Sequence, residues 1–231
     1  MDRRAWRRSA CLGAMAGLRT VDRPVAVPEL RGYIDALMRE EIAPTLPVMQ
    51  GLDLDGYRAR LLQRFSNPAL QHQTKQIAMD GSQKLPQRLL GTVRDRLAAG
   101  QPIERLALAV AAWIHYLRGV DETGASHDIQ DPLAAALAER LAQAGAAASS
   151  VHERVAFFTG FAPVFGELGG VPAFVYTVAR HLAMLEERGV IAALEAAAVG
   201  ASVVLCDAHG AGPVVTTGKV REQRPQNFGI R

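Results

Sequence analysis

The sequence predicts a mainly α, multi-helical domain. Three observations carry that expectation. Apolar residues recur at three- and four-residue spacing through most of the chain. Proline and glycine fall at the ends of the periodic segments, where helices start and stop. No alternation of apolar and polar residues is long enough for a sheet before residue 200.

The elements follow in order. A first helical stretch opens at 24–28 and ends near Pro44, with Leu30, Ile34, Leu37, Met38 and Ile42 on one face. Residues 48–51 read as a turn, and Asp53 caps a second helix carrying Tyr57, Leu61, Leu62 and Phe65. Asn67 followed by Pro68 is a cap with proline at the first helical position, opening a third helix to about Met79. Gly81 marks its end, and Ser82 caps a fourth helix over 85–98 that Gly100 closes. The next helix, about 103–117, is apolar on most sides and is expected at the centre of the core. A polar loop at 119–130 leads to Asp131-Pro132, the same cap-plus-proline pattern, and to an alanine-rich helix ending near Gly145. Ser150 and Glu153 have capping-box spacing for a further helix. The last helix runs over 172–188 and stops at Gly189. Beyond Ala198, Val203–Leu205 and Val214, Val215 lean towards strand within a glycine-rich segment, and 199–231 reads as a tail, disordered or loosely packed.

Bulk properties bound the function. Hydrophobic residues make up 49% and charged residues 21%, an ordinary globular balance that can build a core. The formal net charge of +3 is not gathered into a strong patch, apart from Arg3, Arg4, Arg7 and Arg8, so nucleic acid is not an expected partner. The longest apolar run, 106–114, is about half what a bilayer requires, so no membrane span is expected. Residues 7–18 loosely resemble the basic and apolar parts of an export signal. Cys11 and Cys206 are far apart and imply no disulfide framework, which fits reduced thiols in a cytoplasmic protein. His115, beside Trp113 and Tyr116 on the core helix, reads as structural; His127, His152, His181 and His209 share no metal-ligand spacing, and no metal is expected.

The most informative stretch is Asn67 to Leu70, His72, Thr74, then Gln76-Ile77-Ala78-Met79-Asp80-Gly81-Ser82-Gln83-Lys84-Leu85-Pro86-Gln87-Arg88. Lys84 and Arg88 are four apart, so a helix projects both from one face. They sit in its first turns, where cations are slightly unfavourable and free N–H groups already attract anions. Two cations there fit the binding of a carboxylate or a row of hydroxyl oxygens, with Arg88 able to make paired contacts. The same residues also fit a solvated face, with Asp80 a surface ion-pair partner worth under about 1 kcal/mol. Asp80 either orients Lys84 or caps the helix.

This stretch resembles the mannitol dehydrogenase and fructuronate reductase (D-mannonate oxidoreductase) family, whose members carry a run of the form N-P-A-L-x-H-x-T-x-Q-I-A-M-D-G-S-Q-K-L-P-Q-R. The likeness extends upstream through Ala16-Gly17-Leu18-Arg19-Thr20-Val21 and Glu40-Glu41-Ile42-Ala43-Pro44. Downstream it takes in Ala112-Trp113-Ile114, Tyr116-Leu117-Arg118-Gly119 and Val164-Phe165-Gly166, and spans about 12–195. It implies the C-terminal domain of a polyol long-chain dehydrogenase, a helical domain of the 6-phosphogluconate-dehydrogenase-like type. It implies a domain over 12–198, flanked by a non-family or truncated start at 1–11 and the tail at 199–231. It weakens the export-signal reading, because 12–21 then belongs to a folded enzyme.

Members of that family are NAD(P)-dependent oxidoreductases that interconvert a secondary alcohol of a polyol or sugar acid with its ketone. The resemblance therefore implies a substrate-side domain with Lys84, Arg88, Asp80, Ser82 and His72 facing the sugar. Two cations lean the substrate towards a uronate. The family's general base is a lysine, followed after four residues by asparagine and after two more by histidine, just upstream of the segment matching 12–21. Residues 1–9 here hold none of the three, and no G-x-G-x-x-G follows a strand. The chain alone is thus expected to bind neither NAD nor NADP and to transfer no hydride. A shifted reading frame or mis-called gene end would give foreign sequence at both termini. Lys75 stands where relatives carry a tryptophan. The competing readings are a non-catalytic helical interaction module, self-associating through the face a cofactor domain would cover, and an inactive gene fragment.

Overall fold

The computed structural model describes residues 13–15, 18, 20, 22–47, 53–67, 69 and 73–198, with the side chains of 75, 77, 196 and 198 apart, and the backbone of 203–205 and 214–216. The fold is mainly α. The helices are Asp22–Ala26, Pro28–Ala36, Leu54–Phe65, Thr74–Ala78, Gly81–Leu85, Gly91–Ala98, Glu104–Tyr116, Ala134–Ala147, Val151–Thr159, Ala162–Phe165 and Pro172–Ala198. Val203–Leu205 pairs antiparallel with Val214–Thr216, so the two β-leaning runs meet as a short hairpin. The rest of the 199–231 segment, residues 1–11, the 48–51 turn, His72 and the Lys75 side chain lie outside the described residues.

The Glu104–Tyr116 helix is the centre of the core. Every residue in it except His115 is buried, which is what its all-round apolar pattern requires. It packs against Pro172–Ala198, and that long helix also packs on Pro28–Ala36 and Val151–Thr159. Trp113 anchors an aromatic group, with ring centroids 6.1 Å from Phe158 and 6.2 Å from Phe165. Each such side chain contributes roughly 1.5–3 kcal/mol by leaving water.

Capping sets the boundaries. Asp53 accepts from the Gly56 amide at 2.7 Å and starts Leu54–Phe65. Ser150 accepts from Glu153 at 3.2 Å, while the Glu153 carboxylate reaches back to the Ser149 amide at 2.8 Å, closing the capping box one residue early. The central helix is capped from a distance. Buried Glu41 accepts from the amides of Arg105 at 2.8 Å and Leu106 at 2.9 Å. Burial raises the Glu41 carboxyl above its usual range, against the opposing pull of those two amides and of Arg96 and Arg105. Arg96 ties the same corner by donating to the carbonyls of Glu40 at 2.9 Å and Pro102 at 2.7 Å.

Four expectations are revised. The third helix, expected from Pro68, is Thr74–Ala78, and Gln73 before it forms an isolated β-bridge with Thr20. Ser82 does not cap the fourth helix: that helix begins at Gly81, with Asp80 as the capping residue. The helix also widens into π turns at Pro86–Leu90 before resuming at Gly91–Ala98, since Pro86 has no N–H and its ring crowds the preceding turn. Gly189 breaks the last helix without ending it. Its φ of 79° and ψ of −180° bend the chain, and Val190 donates to Glu122 at 2.5 Å before the helix continues.

Candidate functional site

The site is built on the turn before Gly81. Asp80 is the one non-glycine residue with positive φ among the described residues, at 55°, in the left-handed region that aspartate tolerates better than most. Its amide donates to the Gln130 carbonyl at 3.0 Å, and its own carbonyl accepts from Gln83 at 3.1 Å and Lys84 at 2.9 Å. Gly81 lies flat on the central helix: a Cβ there would stand 2.0 Å from the Trp113 indole nitrogen. Ser82 is clamped to Asp131, its amide donating at 2.8 Å and its hydroxyl at 2.5 Å. Asp131 also accepts from the Leu133 amide at 2.9 Å.

Lys84 emerges from this clamped turn. Its ammonium donates to the Met79 carbonyl and lies 3.4 Å from the Asp80 carboxylate. Its side chain is only 18% exposed, so the charge is positioned more firmly than a solvated surface lysine would be. Asp80 makes no side-chain capping bond, and its carboxylate is turned to Lys84. Arg88 stands four residues further on, half-buried, with no hydrogen bond or ion pair to another described residue. Lys84 closes the Gly81–Leu85 helix and Arg88 lies in the π turns that follow it. Ser82 is buried with its hydroxyl committed to Asp131, so it holds the turn in place. His72 is outside the described residues.

Sequence reasoning missed the clamp. Asp131 read as a helix cap because Asp-Pro is a local signal, and nothing local links it to Ser82. Two cavities were also missed, and neither is lined by Lys84 or Arg88. One, of about 520 Å³, is bordered by Thr20, Gln73, Thr74, Tyr116, Ser126 and His127. There His127 stacks on Tyr116 with centroids 4.5 Å apart. The other, of about 430 Å³, lies between the central helix, Ala134–Ala147, Val151–Thr159 and the last helix.

Among the described residues no glycine-rich turn joins a strand to a helix, the Rossmann cradle for the pyrophosphate of a nicotinamide dinucleotide. Gly166–Gly170 is instead a 3-10 turn between helices, and Gly169 is packed so that a Cβ would stand 2.0 Å from the Thr159 carbonyl oxygen. Among the described residues no three His, Cys, Asp or Glu side chains gather to hold a metal ion. No single described helix is long and apolar enough to cross a membrane.

The mannitol dehydrogenase C-terminal domain model matches residues 8–186, which takes in the Asp80 turn, Lys84, Arg88 and the central helix. The chain belongs to the mannitol dehydrogenase C-terminal domain family. Within that family it is 44% identical over 181 residues to the D-mannonate oxidoreductase of Escherichia coli (strain K12), covering 78% of this chain and 36% of that protein. It is 39% identical over 122 residues to a mannitol 2-dehydrogenase of Phaeosphaeria nodorum, covering 53% and 22%. The fold superimposes with a TM-score of 0.74 on Pseudomonas fluorescens mannitol 2-dehydrogenase in its ternary complex with NAD and D-mannitol. That match has 32% identity and covers 83% of this chain and 38% of that one. This member of the family therefore spans between 22% and 38% of the length of these three proteins.

Proposed function

We propose that this chain is the substrate-side domain of an NAD(P)-dependent oxidoreductase that interconverts a secondary alcohol of a sugar acid or polyol with its ketone. The observation that carries the reading is the Lys84 ammonium, tethered to the Met79 carbonyl and Asp80 on a clamped turn within the family's region. Such a charge, with Arg88 four residues on, suits a chain of hydroxyl oxygens ending in a carboxylate. The likeness to a D-mannonate oxidoreductase supports a sugar acid as the first choice and a polyol as the second.

In this reading Lys84 and Arg88 contact the substrate, and Asp80 orients Lys84. Ser82, first grouped with the contacts, holds the turn through Asp131. His72 keeps its proposed place beside the substrate on the resemblance alone. The domain extends over 12–198, between the 1–11 and 199–231 segments. Residues of a separate cofactor domain hold the nicotinamide and supply the catalytic base, and in this reading the chain by itself transfers no hydride. The protein works in the cytoplasm on a small-molecule substrate.

The test is calorimetric titration of the full chain with D-mannonate and with D-mannitol. Mannonate is expected to bind weakly, and Lys84→Met to lower its affinity by about tenfold, the worth of one charge-assisted contact. Affinity unchanged in Lys84→Met would refute the assignment of that lysine. Hydride transfer by the chain with NADH and fructuronate, followed by nicotinamide absorbance, would refute the division of labour.

A further inference from the structure

The 430 Å³ cavity lies outside the Lys84 region and has a different character. Its floor is apolar, formed by Leu141, Phe158 and Leu182 among others. Phe158 and Leu182 are core residues, 1% and 3% exposed. Four polar side chains stand around it: His115, Arg118, Arg154 and Glu186. Its size falls within the roughly 300–1,000 Å³ typical of small-molecule sites, and an apolar body with a few convergent polar groups is their usual make-up.

The charges at the mouth do not cancel. Arg154 and Glu186 close on each other through two parallel hydrogen bonds of 3.0 and 2.6 Å, which sets their two charges against each other. Arg118 is exposed, and its one hydrogen bond among the described residues runs to His115 Nδ1 at 3.5 Å. A guanidinium only donates, so this contact favours the tautomer with Nδ1 as acceptor and the ring proton on Nε2. Burial, reinforced by Arg118 and opposed by Glu186, keeps the His115 imidazole below its ordinary value, consistent with a neutral ring. The mouth therefore offers one uncompensated cation with spare donors, and one imidazole N–H, above an apolar floor.

We infer that this cleft is a second binding site, for a small monocarboxylate carrying an aromatic ring or short alkyl chain, with the carboxylate on Arg118 and the His115 Nε2 proton and the apolar body over Leu141, Phe158 and Leu182. A second negative charge on the ligand would face Glu186. A polyhydroxylated body would lose its water against a floor that offers it no partners, which separates this site from the sugar-binding region. The inference does not depend on the role of Lys84.

The experiment uses the full chain, with phenylacetate as probe and phenethyl alcohol as its neutral counterpart. Binding is read by saturation-transfer NMR and by amide chemical shifts. Phenylacetate is expected to bind and to shift amides of the central helix and of Ala134–Ala147, and the alcohol to bind at least about tenfold more weakly. Arg118→Gln, at an exposed position, weakens phenylacetate by about tenfold, the cost of one lost charge-assisted contact. Ala138→Trp, on the exposed side of the cleft, blocks it. Equal binding of acid and alcohol, or phenylacetate binding indifferent to Arg118→Gln, overturns the proposal. So does no binding of phenylacetate at millimolar concentration.

Discussion

Gly81 touches the Trp113 indole so closely that no side chain fits between them. At this scale the turn is a stack of single-residue requirements: left-handed backbone at Asp80, no Cβ at Gly81, a hydroxyl at Ser82 for Asp131. Together they aim Lys84. Gly81→Ala is expected to destabilise the fold by roughly 1–3 kcal/mol through overpacking. A lower urea midpoint with an unchanged slope would report it, and a wild-type midpoint would mean that Trp113 moves aside freely. The presence of Lys84 and Arg88 on one helical segment was legible in the sequence, while the π turns between them were not. The need for glycine at 81 was not, because the atom it avoids belongs to a helix far along the chain.

Elements here begin and end by two kinds of signal. Local ones, such as Asp53 and Ser150, were legible because the side chain satisfies an amide within its own turn. The cap of the central helix was not, because Glu41 reaches it from another helix. Removing that carboxylate strands two amides and leaves the Arg105 side chain, among the described residues, with its 2.8 Å pairing to half-exposed Glu40. Glu41→Ala is expected to cost about 3 kcal/mol, as for other buried pairs that lose one partner. Amide exchange would show it as faster opening at the start of the Glu104–Tyr116 helix, and protection unchanged there would rule out the cap. The Pro86 π turn and the Gly189 bend divide the same way. Gly189 was visible as a breaking residue, but whether the helix resumed depended on what it packed against; the π turns at Pro86 were not read from the sequence at all.

For the molecule as a whole, one buried group makes stability depend on pH. His181 is 1% exposed in the core, and its Nε2 meets Glu104 at 2.9 Å beside Arg180. Burial lowers its affinity for a proton, outweighing the upward pull of Glu104. The unfolded chain therefore takes up that proton first as the pH falls. Stability from His181 is complete above the ordinary histidine value of about 6.5 and is lost as the pH drops from there through the folded value. His115 is shifted the same way, and Glu41 the opposite way. The melting temperature is expected to fall with acidification from about pH 6.5, and to fall less steeply in His181→Gln, which cannot ionise. Parallel slopes for the two proteins would rule His181 out. Also at this scale, Ile191 is the exposed large hydrophobic residue among the described residues, at 43%.

The sequence by itself determined the helical class, the central place of the Glu104–Tyr116 helix, the local caps and the family, because each rests on spacing within a turn or two or on a contiguous motif. Tertiary structure alone decided that Ser82 serves Asp131, that Glu41 caps a distant helix, that Trp113 excludes a side chain at Gly81, and that His115 and Arg118 open onto a cleft. Those contacts join residues that no helical period brings together. They exist only once packing has brought one helix against another.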